Sequence, residues 1–209
     1  MSVLELFISP GKYISGYDNI SKLGIEINKL GNKPMLLIDK NIEKIVEIGI
    51  KSIKSFGEVE ITYFNGECTF DETNRITKLM IEKGCDVIVG FGGGKTMDTA
   101  KASGYDAKVK IATVPTIAAT CAAWASHSAM YTPEGIAHSY YSIYKNADLV
   151  FMDKKITSEA PVRYIISGMV DTLAKWIETK AFTGPIKDKN VALEIAILLA
   201  QKCYREILE

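Results

Sequence analysis

From Pro34 to Val114 the sequence changes its hydrophobic period again and again, and this alternation restricts the fold more than any other feature. Short apolar runs, Pro34 to Ile38, Val59 to Phe64, Asp86 to Val89 and Lys110 to Val114, are separated by longer amphipathic segments, Ile42 to Phe56, Asp71 to Lys83 and Lys95 to Ser103. Strand and helix in strict alternation predict an α/β domain whose parallel sheet is covered by helices on both faces. The run CDVIVG is apolar at consecutive positions, as a strand buried on both sides must be. Sheets of this kind take ligands at the carboxyl ends of their strands. Asp39, Gly90 to Gly94 and Pro115 to Thr116 each follow a strand and are therefore expected along one rim.

After Thr120 the pattern becomes that of a hairpin, Ser128 to Thr132 and His138 to Tyr144, turning at Pro133-Glu134-Gly135. A last strand is expected over Asp148 to Asp153. Beyond Ala160 the chain reads as two helices, Val162 to Phe182 and Asn190 to Glu209, broken at Gly184-Pro185. The second is apolar at Val191, Leu193, Ile195, Ala196, Leu198, Leu199 and Cys203, more than one stripe, and so wants neighbours. The expected division is a nucleotide-binding α/β domain over residues 1–158 and the first helices of an all-helical domain over residues 159–209.

Lys plus Arg and Asp plus Glu both number 25, so no overall field draws the chain to nucleic acid or to an anionic membrane, and the partner is expected to be small. The start lacks the form of a secretion signal and no window holds the roughly 18 apolar residues of a membrane span. A cytoplasmic protein is expected. Cys68, Cys85, Cys121 and Cys203 include no CxxC pair, so free thiols are expected.

In VGFGGGKTMDTAK a buried strand runs into three consecutive glycines and then a helix, which lets backbone N–H groups and a helix N-terminus converge on a phosphate. The loop is not a P-loop, because Val89 stands five positions before Gly94 where that motif needs glycine. LVFMD, which ends in Asp153, is too common a pattern to rescue that reading. Nor is it the standard dinucleotide fingerprint, since Lys95 occupies the third glycine's place. Asp39 supports a dinucleotide all the same. At the end of its strand a carboxylate accepts from the adenosine ribose hydroxyls and repels a 2′-phosphate, favouring NAD over NADP; as a bland alternative it caps the next helix.

Together FNGEC (Phe64 to Cys68), GGGKTMDTAK (Gly92 to Lys101), ATVPTIAAT (Ala112 to Thr120), NADLVFMD and APVRYIISGMVDTLAKWIETKA resemble the glycerol dehydrogenase branch of the iron-containing alcohol dehydrogenases, within the dehydroquinate synthase-like superfamily. The resemblance runs from about Gly11 to Ala181. It implies a Rossmann-like NAD-binding domain followed by a helical one, with a divalent metal, zinc rather than iron, and a small polyol in the cleft between them. The implied reaction is reversible oxidation of a secondary hydroxyl with hydride passing to NAD, in a homo-oligomer at full length. Gly92, Gly93, Gly94, Lys95 and Asp98 would line the pyrophosphate and ribose. Thr116, Ile117 and Ala119 would flank the cofactor, with His127 beside it and Tyr131 towards the nicotinamide. Asp171 matches the family's carboxylate metal ligand.

Two departures qualify this. The family's metal-binding histidines have no counterpart, the only histidines being His127 and His138. Cys121 falls at the substrate position where glycerol dehydrogenases carry an aspartate, and a thiol is a poorer acceptor. Ala123 and Trp124 replace a small Pro-Thr pair, which reshapes the pocket. Two other readings stay open: a non-catalytic nucleotide-binding remnant or subunit, and a glycerol-1-phosphate dehydrogenase-like activity, although no basic cluster for a substrate phosphate is visible.

Overall fold

The computed structural model describes residues 8–183 and 191–209. Its strands are β1 (Tyr13–Gly16), β2 (Pro34–Ile38), β3 (Glu60–Tyr63), β4 (Val87–Gly92), β5 (Lys110–Pro115), β6 (His127–Tyr131), β7 (Ala137–Ser142) and β8 (Leu149–Asp153). The helices are α1 (Leu23–Asn28), α2 (Glu43–Lys54), α3 (Phe70–Lys83), α4 (Gly94–Asp106), α5 (Lys154–Glu159), α6 (Val162–Thr183) and α7 (Val191–Leu208). Six strands form one sheet in the order β1-β8-β5-β4-β2-β3, with every pairing parallel, and β6 and β7 form a separate antiparallel hairpin.

The period of two divides the strand residues between two cores. Leu36, Ile38, Val89 and Phe91 face Leu23, Ile27, Val46 and Ile50 on the α1 and α2 side. Met35, Leu37 and Ile88 face Ile76, Met80 and Ala100 of α3 and α4. β2 and β4 are buried at every position, as their unbroken apolar runs require. The sheet therefore has both faces covered, as expected.

β2 connects outward to β3, and β4 connects the other way to β5, so the order reverses between β2 and β4. That reversal opens a crevice at the carboxyl ends of the two strands. The rim expected there is tied together by its backbone: the Asp39 N–H donates to Phe91 O at 3.2 Å, and the Thr116 N–H to Gly92 O at 3.1 Å. Tight packing of α4 on the sheet sets its N-terminus there. A Cβ at Gly104 would stand 2.6 Å from Ile88 Cγ2, and one at Gly90 2.7 Å from the Ala100 Cβ.

Three elements carry no clear signal in the sequence. β1 is four residues long and exists through its pairing with β8, Tyr13 opposite Val150 through Gly16 opposite Asp153. The helices α1 and α5 are six residues each, too short to show a period. The hairpin forms as expected, shifted by one or two residues, with an irregular register between Met130 and Tyr131. The expected break at Gly184-Pro185 lies outside the described residues.

The LVFMD aspartate is committed to the fold. Asp153 is buried, and its carboxylate accepts the N–H groups of Ile20 at 2.8 Å, Asp18 at 3.1 Å and Lys155 at 2.9 Å. This fastens the connection between β1 and α1 to the end of β8 and the start of α5. Asp153→Ala leaves those amides without their acceptor and is expected to lower stability by about 3 kcal/mol, measured by urea unfolding. A loss below about 1 kcal/mol would show that water replaces the carboxylate.

α6 and α7 pack on each other, with Trp176 and Tyr204 ring centroids 6.2 Å apart. Their other faces carry exposed apolar side chains, Val162, Ile166, Val170 and Ile177 on α6 and Val191, Leu198 and Leu199 on α7. No α7 residue is buried. No helix among the described residues is long and apolar enough to cross a membrane.

Candidate functional site

The site begins where β4 gives way to α4. Gly93 stands at the helix N-cap in extended conformation, and having no side chain it leaves the N–H groups of the first turn uncapped. The first intrahelical bond runs from the Met97 N–H to Gly93 O. Side chains would not fit freely here: a Cβ at Gly93 would lie 3.0 Å from Ile117 Cδ1 and one at Gly94 3.1 Å from Thr120 Oγ1. Gly92 is closed in by Thr96, whose Oγ1 would meet a Cβ at 2.6 Å. A bare, positively polarised helix end of this kind suits a phosphate.

In front of it opens a cleft of about 1000 Å³. Gly94, Lys95 and Asp98 of α4 line one side, Ile117, Ala119 and Cys121 the loop after β5, and His127 and Tyr131 the β6 wall. α6 closes the fourth side with Asp171, and with Tyr164, Ser167 and Lys175. Nine of the expected site residues thus share one cavity although they are spread over more than seventy positions. Gly92, Gly93, Thr116 and Asp39 lie behind or beside it. Thr116 is buried and serves to tie the β5 loop to Gly92. Asp39 is half-buried at the rim, where its Oδ1 accepts from the Asn41 N–H at 2.9 Å and Asn41 Nδ2 at 3.0 Å. The capping role is therefore real in this structure.

The charge of Lys95 is held by Glu67, a member of the FNGEC segment that was not among the expected site residues. Lys95 pairs with Glu67 at 2.6 Å and lies 4.6 Å from the Tyr131 ring centroid. The Tyr131 N–H donates to Cys68 O at 2.8 Å, so the FNGEC segment orients both partners. Burial pushes the Cys68 thiol up to about 12, which keeps it protonated and unreactive. Burial also raises the Asp98 carboxyl above its ordinary range, against the pull of Lys101. His127 is exposed and stands edge-on to Tyr140 with centroids 5.2 Å apart.

A second, more apolar cavity of about 640 Å³ adjoins the first and shares Ile117, Thr120, Cys121, Asp171 and Lys175 with it. Trp124 and Tyr13 line it, edge to face with centroids 5.3 Å apart. Cys121 is an exposed free thiol on the boundary. Asp171 pairs with Lys175 at 3.9 Å, and the hydrogen bond from Lys175 to Glu178 holds that ammonium above its ordinary range. Among the described residues no three His, Cys, Asp or Glu side chains gather to hold a metal ion. Asp171, the carboxylate expected to bind a metal, stands half-exposed on the cleft wall beside this ammonium. Lys175 was legible in principle, being one turn beyond Asp171 on the same helix face.

Comparison with known proteins agrees with this geometry. A glycerol dehydrogenase of Thermotoga maritima is 37% identical over 207 residues, covering 97% of this chain and 56% of that protein. Hydroxycarboxylate dehydrogenase A of Escherichia coli is 41% identical over 148 residues, 69% of this chain and 40% of that one. The crystal structure of a probable glycerol dehydrogenase from Sinorhizobium meliloti superposes with a TM-score of 0.88 at 30% identity, covering 98% of this chain and 57% of the other. The chain thus matches between 40% and 57% of the length of these relatives. The model of the iron-containing alcohol dehydrogenases matches residues 10–154, and with that match the chain belongs to the iron-containing alcohol dehydrogenase family.

Proposed function

We propose that this chain is the nucleotide-binding portion, residues 1–158, and the first helices, residues 159–209, of an NAD-dependent oxidoreductase acting on the secondary hydroxyl of a small polyol. The observation that carries the reading is the uncapped α4 N-terminus, with Gly94 opening into the same cleft that gathers Lys95, Tyr131, Cys121 and Asp171. The cleft is large enough for an extended dinucleotide. The first-turn amides of α4 would hold the pyrophosphate, with Lys95 giving up part of its bond to Glu67 to a phosphate oxygen. Asp39 would take the ribose hydroxyls by turning from Asn41. Bound NAD supplies the hydride acceptor. The protein's part is to orient it, with Ile117, Ala119 and Tyr131 forming the walls that fix the ring and exclude water.

A divalent cation, zinc being the first to test, would be held in part by Asp171, and because no three ligating side chains gather among the described residues no step is assigned to it. The relatives' names support the polyol class, while Cys121 and Trp124 at the substrate side argue for a pocket shaped differently from theirs. A homo-oligomer in the cytoplasm is the expected setting.

The test is titration of NADH against the fluorescence of Trp124 and Trp176, with NADPH and ATP alongside. Saturable NADH binding is expected, with NADPH weaker by about tenfold or more through repulsion at Asp39. ATP binding tighter than NADH, or no NADH binding, would overturn the reading.

A further inference from the structure

Lys101 is 1% exposed and buried against the cleft's own supports, yet no feature of the proposed chemistry uses it. Its ammonium pairs with Asp98 Oδ1 at 2.8 Å and donates to Ala125 O at 3.0 Å and His127 O at 2.6 Å. Two of its N–H bonds are spent on backbone carbonyls, and the Asp98 carboxylate balances its charge. The other Asp98 oxygen accepts the Ala129 N–H at 3.1 Å, and Ser128 Oγ donates to the Asp98 backbone carbonyl at 2.7 Å. Two residues of α4, one turn apart, therefore hold positions 125, 127, 128 and 129 of the facing segment. Ala125, His127 and Ala129 of that segment, and Tyr131 beyond it, line the cleft.

We propose that Lys101 is a positioning residue of the nucleotide cleft, its ammonium setting the spacing between the glycine cradle of α4 and the β6 wall. The proposal rests on the nucleotide reading above. Stability alone does not account for the lysine, because an apolar chain of similar volume replaces a buried ion pair at little or no loss. What an apolar chain cannot do is fix two carbonyls and a carboxylate at defined distances. Lys101 and Asp98 sit on the same helix as Gly94 and Lys95, so the clamp measures the wall directly from the phosphate end. A site rigid in this way spends less of its binding energy on ordering the wall around a ligand.

The experiment compares the wild-type chain with Lys101→Met and with the double variant Asp98→Asn/Lys101→Met, using NADH and AMP as ligands. Lys101→Met is expected to weaken NADH by about tenfold or more while AMP, which would reach only the α4 and Asp39 side, changes by less than about twofold. Hydrogen exchange should accelerate at residues 127–129 while β4 keeps its protection. The double variant removes the unpaired buried carboxylate, so its melting temperature should return towards wild type without recovery of NADH affinity. Recovery of affinity together with stability would reduce the lysine to charge balance and overturn the proposal. Unchanged affinity and exchange in Lys101→Met would overturn it as well. A wild-type chain that binds neither ligand would sink the nucleotide reading, and the exchange comparison would still decide whether the clamp exists.

Discussion

Gly94→Val is expected to weaken NADH by at least about 100-fold, or about 2.7 kcal/mol of binding energy, while the protein stays folded. The first-turn amides of α4 can meet a phosphate only if nothing stands over them, and Gly94 is the first residue of that turn. A Cβ there would already lie 3.1 Å from Thr120 Oγ1 and 3.5 Å from the Ala122 Cβ. Thr120 is partly fixed, its hydroxyl accepting the Ala122 N–H at 3.3 Å, so a branched side chain is driven toward the open cleft instead. The cost in stability should stay near 1 kcal/mol, since the side chain has the open cleft to enter and the helix loses a flexible residue. Fluorescence titration and a thermal melt of the same sample check both halves. NADH affinity within about threefold of wild type would mean that the dinucleotide does not lie on this loop.

The second large effect is expected at Gly168, where α6 meets the loop after β5. A Cβ at Gly168 would fall 2.0 Å from the carbonyl oxygen of Ala118 and 3.4 Å from the Ala119 Cα. Backbone on both sides leaves neither partner free to yield, so Gly168→Leu must separate the helix from the loop. The loss should be about 3 kcal/mol, the upper range of overpacking. Its signature should be local. Protease sensitivity and hydrogen exchange are expected to rise in α6 and at Ile117 to Thr120, while β4 and α4 remain protected. Asp171, Tyr164 and Lys175 move with α6, so the cleft should lose its fourth wall and NADH its tight binding. If Gly168→Leu unfolds with the same exchange profile as wild type, α6 is not docked through this contact.

These expectations separate what local pattern carries from what it does not. The runs from Pro34 to Val114 announce their own secondary structure because a two-sided buried strand and an amphipathic helix leave different periods in the chain. The glycine loop was legible as a tight strand-to-helix passage for a similar reason, since glycines between a buried strand and a helical segment mark where one gives way to the other. Membership of the family followed from five motifs in register, and the match over residues 10–154 agrees. Asp39 shows the limit of such reading. Its position suits a ribose and its side chain caps Asn41, and both follow from the same place at a strand end.

Elements defined by distant partners were illegible. β1 has four residues of weak strand character and is a strand because β8 lies beside it. In the sequence Asp153 only ends a common strand pattern, and its three backbone donors, two of them near residue 20, are supplied by the fold. Glu67 and Lys95 stand 28 positions apart, and their pairing depends on how α3 and α4 are laid on the sheet.

The periods in the chain thus determine the strands, the helices and the glycine end of α4, because each is decided by contacts within a few residues. Lys101 is the opposite case. Along the sequence it is a lysine in an amphipathic helix, a residue whose ordinary place is in water. It becomes a buried clamp only when residues 125–129 are laid across α4, since desolvation and hydrogen bonding depend on distance in space and not along the chain.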